Sequence, residues 1–305
     1  MHPNSPMFDV PAVFDKDTSP YVLYNLSVQY PEGSVRDLHA MYAVVHPDVG
    51  RLPTTLHEDF AAVGQLSAAW VAECAANKAV AVDIDHVPMD WGEQNLKGYD
   101  QSRLARVIGD CRHVEHTSEI THAGNFSWML LTERAELMAY LNRVYVGHKA
   151  VEAEGRKTMF VLEAMDGPGA KVSVSNGCDG AVAGRIFDCN GVEIDDADYG
   201  EVATEDFGFE YIWEQSHFDP KTGIAEHRIH FRFADGSEQR KAFVYPWRLY
   251  SIAELADMLL EVGFRDVRVF HSVTVSDPDD PDGKEILSEK PQHDETLSPY
   301  VVALL

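Results

Sequence analysis

Apolar and polar positions alternate along this chain in two different rhythms, and the change of rhythm divides it into parts. Leu56–Phe60 reads as a strand, Ala61-Ala62-Val63-Gly64 as a turn, and Gln65–Ala76 as a helix whose Leu66, Ala69, Trp70 and Cys74 recur at three- and four-residue steps. Ala79–Ile84 is a short apolar run of the kind a buried parallel strand shows, with Asp83 and Asp85 at its end. Arg103–Ile108, Glu119–Phe126 and Thr158–Glu163 read as three further strands. Thr132–Val146 reads as a helix capped by Thr132, with Leu137, Tyr140, Leu141 and Val144 on one face. Ser251–Val262 is a helix opened by a Ser251/Glu254 capping box and stopped by Gly263. Val267–Phe270 and Pro299–Leu305 are two more strands, with a charged, proline-containing loop at Asp277–Thr296 between them.

The second rhythm has a period of two. Phe207–Leu249 holds three alternating runs separated by Asp219–Gly223 and by an Asp235-Gly236 turn, which predicts a three-stranded antiparallel sheet. Tyr211, Trp213 and Gln215 share one face of it, as do His227, Ile229, Phe231 and Phe233. Met165–Phe207, rich in Gly, Asp and Asn, reads as a long loop or irregular hairpin. Its Asp195-Asp196-Ala197-Asp198 run lacks the spacing and closing glutamate of a calcium loop. At the other end, residues 1–20 read as an arm, followed by a short helix and a better one at Ser34–Val45.

Strand, turn, helix and strand over Thr54–Glu93 outline a nucleotide-binding βαβ unit, with an acidic residue about twenty places past the turn positioned for ribose hydroxyls. The wording of this stretch resembles class I S-adenosylmethionine-dependent methyltransferases. It is closest to a bacterial subgroup with a Glu-Asp-Phe-Cys-Gly-Thr loop. The residues carrying the likeness are Glu58-Asp59-Phe60, Ala69-Trp70-Val71, Val82-Asp83-Ile84-Asp85, Pro88 and Trp91-Gly92. Further matches are Tyr24, Ser27-Val28-Gln29, Pro31-Glu32, Asn125-Phe126-Ser127, Tyr211, Trp213-Glu214-Gln215, Ile229-His230-Phe231 and Trp247-Arg248-Leu249. The subgroup's Cys-Gly-Thr is Ala61-Ala62-Val63 here. A glycine at that bend tolerates positive φ, so Ala62 fits most easily with negative φ.

The resemblance implies a mostly parallel, Rossmann-like seven-stranded sheet whose last strand is antiparallel, with an antiparallel β-sheet inserted. It divides the chain into a covering arm and helices (1–50), a methyltransferase core (51–164 and 250–305) and an insertion (165–249) that offers an acceptor platform. It implies S-adenosylmethionine as cofactor, bound by Tyr24, Gln29, Glu58, Phe60, Gly64, Asp83, Asp110 and Asn125. Tyr24 has an equal reading as packing, and Asp110 as a plain turn aspartate. The inserted sheet has an equal reading as an interface or a structural insertion.

Composition narrows the partners. Lys and Arg number 25 against 50 Asp and Glu, a net charge of −25, so phosphate backbones and anionic membranes are repelled. No apolar run approaches the roughly 20 residues of a membrane span. No secretory leader is legible at the first residues, and Cys74, Cys111, Cys178 and Cys189 show no CxxC spacing, which predicts reduced thiols in a cytoplasmic protein. A homo-oligomer is compatible with these features. The 14 histidines show no paired ligand spacing, so no metal is expected.

Methyl transfer from a sulfonium is an in-line displacement with a neutral leaving group, and it needs positioning more than a catalytic triad. If the acceptor must lose a proton, His217, His230 and Tyr245 are the candidate bases. Trp213, Trp247 and Tyr250 are candidate walls of an acceptor pocket, and Arg248 a candidate for an acceptor carboxylate. Each has a structural reading beside the functional one. The expectation is a methyltransferase of a small-molecule acceptor; the alternative is a degenerate relative that keeps the fold as a binding or partner subunit. A Rossmann oxidoreductase ranks third, because the glycines that admit a pyrophosphate are absent.

Overall fold

The computed structural model describes residues 6–173, 184–194, 207–277, 280–289 and 298–305. Asp195–Asp198 and Cys178 lie outside the described residues. Two N-terminal helices, α1 (Pro20–Ser27) and α2 (Pro31–Val45), each start on a proline, whose fixed φ and missing N–H suit a first helical position. The chain then builds β1 (Thr55–Asp59), α3 (Gln65–Glu73), β2 (Lys78–Asp83), α4 (His86–Asn95), β3 (Leu104–Ile108) and β4 (Ile120–Ala123). It continues with α5 (Arg134–Ala153) and β5 (Met159–Glu163). After β6 (Arg185–Asp188), β7 (Phe207–Gln215), β8 (Ile224–Phe233) and β9 (Glu238–Arg248) come α6 (Ile252–Val262), β10 (Asp266–Asp277), β11 (Asp280–Ser288) and β12 (Tyr300–Leu304).

The main sheet has the order β11-β10-β12-β5-β4-β1-β2-β3. β3, β2, β1, β4 and β5 are mutually parallel; β12 runs antiparallel between β5 and β10. The expected seven strands and antiparallel last strand are therefore present. The expected loop at Asp277–Thr296 is corrected: β10 runs on to Asp277 and pairs with β11, an eighth strand at the sheet edge. β6, β7, β8 and β9 form a separate antiparallel sheet, with β6 adding a fourth strand to the three expected.

Alternation along the strands sorts the core by face. Val161 and Val302 pack with Leu38, Met41 and Trp70 of α2 and α3, whereas Phe160, Leu162, Val301 and Ala303 pack with Leu137, Leu141, Leu255 and Met258 of α5 and α6. The second sheet contributes Phe209 and Phe231 to the first cluster and Trp247 and Leu249 to the second. The arm is anchored by Phe14 against Phe209 and by Phe8 against Trp91. Two helix boundaries differ from expectation. α3 ends at Glu73, so Cys74 is extended and exposed rather than on a core face. α5 is capped at Glu133 without a side-chain bond, not at Thr132. β4 stops at Ala123 because Asn125 and Phe126 turn left-handed, with φ of 49° and 58°.

Candidate functional site

The winding of the sheet reverses between β1 and β4, the place where open α/β sheets leave a crevice beyond the strand ends. Two cavities open there and share Phe60. One, of about 590 Å³, is lined by Asp83, Asp85 and Asp110 at the ends of β2 and β3 and by Tyr21, Phe243 and Tyr245 opposite them. The other, of about 360 Å³, is lined by Gln29, Glu58, His122, Asn125, Glu163 and Arg185. Both fall within the range of small-ligand pockets, roughly 300–1,000 Å³.

The loop after β1 is bent by left-handed residues. Phe60, Ala62 and Gly64 have φ of 55°, 47° and 72°. Negative φ at Ala62 is thus corrected: the alanine occupies the glycine conformation. Among the described residues, four of the five non-glycine residues with positive φ are Phe60, Ala62, Asn125 and Phe126. Each costs about 1–2 kcal/mol, and such strain clusters where a fold holds a site in shape. The bend has fixed partners. Ala62 donates its N–H to Asp83 Oδ2 at 2.7 Å, and Asp85 donates its N–H to Asp83 Oδ1 at 2.8 Å. Burial pushes the Asp83 carboxyl up from its ordinary value. Gly64 opens α3, and a Cβ there would lie 2.5 Å from Arg106 Nη1, whose guanidinium donates to Val63 O at 3.1 Å. Gly92 lets α4 press on the same loop; a Cβ there would stand 1.9 Å from Val63 O.

Carboxylates on a central strand are rare unless paired, yet β1 carries two. Ser67 donates both its N–H, at 2.9 Å, and its hydroxyl to Glu58 Oε2. Burial still pushes Glu58 up to about 7. Asp59 points to the opposite face. At the end of β5, Glu163 accepts the N–H of Asn125 and is also pushed up by burial. His122 of β4 stands across from Glu58 in the strand register, with neither ring nitrogen hydrogen-bonded. Burial pushes it down to about 4, so it is neutral near pH 7.

The structure brings together Gln29, Glu58, Phe60 and Asn125 in one cavity and Asp83, Asp110 and Tyr245 in the other. Asp110 is already gripped by Arg112, whose Nη2 lies 2.6 Å from Oδ2; this pair holds the carboxyl below its ordinary value. Tyr24 takes the packing reading. It lies 4.9 Å from the Phe243 ring, pairs with the Tyr245 hydroxyl and lines neither cavity. Burial pushes the Tyr245 hydroxyl well above its ordinary value. His230 has both nitrogens engaged, by Glu214 Oε2 at 3.0 Å and the Lys241 N–H at 3.2 Å, in a polar hollow away from both cavities. His217 is exposed beyond the end of β7 and lines neither cavity.

Trp213, Trp247, Arg248 and Tyr250 line neither cavity. Trp213 and Trp247 pack around His227, and Tyr245 stacks on Trp247 at 5.2 Å. Arg248 lies over Tyr250 at 4.5 Å, and both donate to the Thr132 carbonyl, fixing the segment ahead of α5. Periodicity gave these residues a shared face but no information on which side of it is solvent-filled. Cavity residues that sequence reasoning missed include Tyr21, Arg36, His122, Glu163, Arg185 and Phe243. One signal was available: Glu163 ends an apolar strand, the same pattern that singled out Asp83.

No protein-family model and no curated protein matches the chain. Solved structures do. The CcbJ methyltransferase from Streptomyces caelestis aligns with a TM-score of 0.54 and 13% identity over 94% of this chain and 98% of that one. The sugar N-methyltransferase KedS8 from Streptoalloteichus sp. ATCC 53650 aligns at 0.56 and 12% over 93% and 91%. CalS10, an amino pentose methyltransferase from Micromonospora echinaspora solved with S-adenosylmethionine bound, aligns at 0.55 and 13% over 92% and 94%. The chain has the fold of class I methyltransferases.

Proposed function

We propose that this chain is an S-adenosylmethionine-dependent methyltransferase of a small polar acceptor. The observation that carries the reading is the pair of cavities meeting at Phe60 over the β1/β4 reversal, with carboxylates in both. The larger cavity suits a nucleoside. Asp83 stands at the end of β2 for the ribose diol, Asp110 at the end of β3 for the base, and Phe243 and Tyr245 give an aromatic wall. The smaller, more charged cavity suits the amino-acid end and the acceptor. Glu58 and Glu163 suit an ammonium, Arg36 and Arg185 a carboxylate.

In this arrangement β9 of the inserted sheet closes the nucleoside cavity, and Arg185 and Tyr211 of β6 and β7 reach the smaller one. The sheet is therefore a wall of both halves, and the insertion over 165–249 serves the cofactor as well as the acceptor. The methyl group passes from the sulfonium to an acceptor lone pair, leaving a neutral thioether. The chain's own contribution is to align the two and exclude water. His122, neutral and without hydrogen bonds, supplies a donor or an acceptor to the incoming nucleophile. The acceptor class of CalS10 and KedS8, an amino sugar or sugar, fits a cavity lined by His122, Asn125 and Glu163.

Isothermal titration calorimetry of the purified chain with S-adenosylmethionine and with S-adenosylhomocysteine tests the reading. Binding of both at micromolar levels is expected. If neither binds at millimolar ligand, the chain is not a methyltransferase and the alternative, a partner subunit on this fold, takes its place.

A further inference from the structure

Beneath the loop after β1, on the α5 side of that strand, lies a buried cluster whose Asp59 also borders the smaller cavity. His57, Asp59 and His116 are 0%, 1% and 1% exposed. His116 Nε2 lies 2.8 Å from Asp59 Oδ2, and His57 Nε2 lies 3.2 Å from Asp59 Oδ1. The two imidazole rings are 4.2 Å apart. Tyr140 of α5 donates its hydroxyl to Asp59 Oδ2 at 2.9 Å. One donor atom from each of His57, Asp59 and His116 falls within 4.8 Å of the other two.

The hydrogen bonding of the cluster is incomplete. Neither nitrogen of His57 has a hydrogen-bond partner, nor has His116 Nδ1 or Asp59 Oδ1. His57 Nε2 and Asp59 Oδ1 are close but out of line for a hydrogen bond. A buried polar atom without a hydrogen-bond partner is costly. A cation between the three side chains takes one donor atom from each of them.

We propose that His57, Asp59 and His116 form a binding site for a divalent transition metal ion of the zinc class. Two imidazole nitrogens and one carboxylate oxygen suit zinc, cobalt or nickel, whereas calcium and magnesium prefer six or more oxygen ligands. Ligand atoms about 2.0–2.2 Å from a tetrahedral ion lie on the order of 3.5 Å from one another, so the His116–Asp59 and His57–Asp59 distances of 2.8 and 3.2 Å lengthen slightly around an ion. Tyr140, bonded to the carboxylate, orients it as an outer-shell partner does. An ion held there ties the end of β1, one residue ahead of the left-handed loop, to the segment leading into β4, with one coordination position left beyond the three side chains. This runs against the sequence expectation of no metal, which rested on spacing: His57 and Asp59 are adjacent on one strand face, but His116 is far along the chain.

The site does not depend on the methyltransferase reading, because metal uptake and cofactor binding are measured separately. The test uses tag-free protein stripped with chelator and titrated with Co²⁺, followed by visible absorption. One equivalent per chain, with d–d bands abolished by Zn²⁺, and a Tm that rises with Zn²⁺ are expected. His57→Ala and His116→Ala should each weaken Co²⁺ binding by at least about a hundredfold, as loss of a ligand must exceed the 10–100-fold of an outer-shell change. His148→Ala, altering a buried histidine bonded only to Thr121, should leave it intact. If the single variants do not fold, the Tm of stripped against Zn²⁺-loaded wild type decides. The proposal is overturned if stripped wild type takes up no metal at micromolar Co²⁺, if Zn²⁺ leaves its Tm unchanged, or if folded His57→Ala and His116→Ala keep the same bands, which assigns the metal to surface histidines.

Discussion

Ala62 is an alanine in a glycine's place, and replacing it isolates what the altered loop costs. At φ of 47° its Cβ crowds the following carbonyl, at about 1–2 kcal/mol. Glycine removes that strain but gives the unfolded chain more freedom, which costs about 0.5–1 kcal/mol. Ala62→Gly should therefore stabilise the fold by about 0.75 kcal/mol, the difference of the two mid-range values. For a chain of this size that raises Tm by about 1–3 °C. The Ala62 N–H to Asp83 bond is a backbone bond and survives the change. Ala61 is the internal control. Its φ is not positive and it is 5% exposed, so Ala61→Gly loses both a buried methyl and chain stiffness and should destabilise.

Calorimetric melting of the two variants beside wild type measures this directly. The strain lies in the backbone of the loop itself, so it counts as a cost of folding. S-adenosylmethionine affinity of Ala62→Gly should then change by less than about threefold, under 1 kcal/mol. An Ala62→Gly protein that melts at or below wild type refutes the strain argument. A tenfold gain in affinity at unchanged Tm moves the cost of the alanine to the ligand.

Three further outcomes are expected. Asp83→Ala removes charge-assisted bonds of roughly 1.5–3 kcal/mol, so S-adenosylmethionine should bind about tenfold or more weakly; equal affinity by calorimetry argues against the ribose assignment. Gly92→Ala sets a Cβ against Val63 O and should destabilise by about 1–3 kcal/mol, read as a lower urea midpoint, with no change meaning that α4 does not press on the loop. His227, fully buried between Trp213 and Trp247, is pushed down by burial to about 4. A depressed histidine contributes stability that is intact above its unfolded value near 6.5 and lost as pH falls through about 4, up to ~3 kcal/mol. His227→Phe should lose less stability than wild type between those limits, and parallel pH curves for the two proteins contradict this.

The parallel half of the fold was legible because each element carried a local signal. Val80–Asp83 is apolar and ends in acid, and Ser251 with Glu254 makes a capping box that the structure contains. The eighth strand was not legible. Asp280-Pro281-Asp282-Gly283-Lys284 has the composition of a loop, and charges with a proline are also what an exposed sheet edge carries. Only pairing with β10 distinguishes the two. Boundaries failed where backbone handedness decided them, as at Asn125 and Phe126, because an aromatic residue gives no warning of positive φ.

The site was legible in the same graded way. Residues at strand ends, such as Asp83 and Asp110, are placed by topology alone, since every parallel strand delivers its last residue to the same rim. Residues chosen for chemistry on β7–β9 were not placed, because alternation assigns a face without saying whether a cavity or a core lies on it. Trp213 and Trp247 met core; Tyr245, on the same strand as Trp247, met the larger cavity. The histidines show the limit most clearly. His230 follows Ile229 in a matched motif, yet Glu214 and Lys241 saturate it. His57 and His116 belong to no matched motif, and they meet only because β1 lies in the centre of the sheet with α5 packed over it. Their ring-to-ring distance of 4.2 Å is a product of the fold, so a metal site of this kind is visible only after the strands have been put in order.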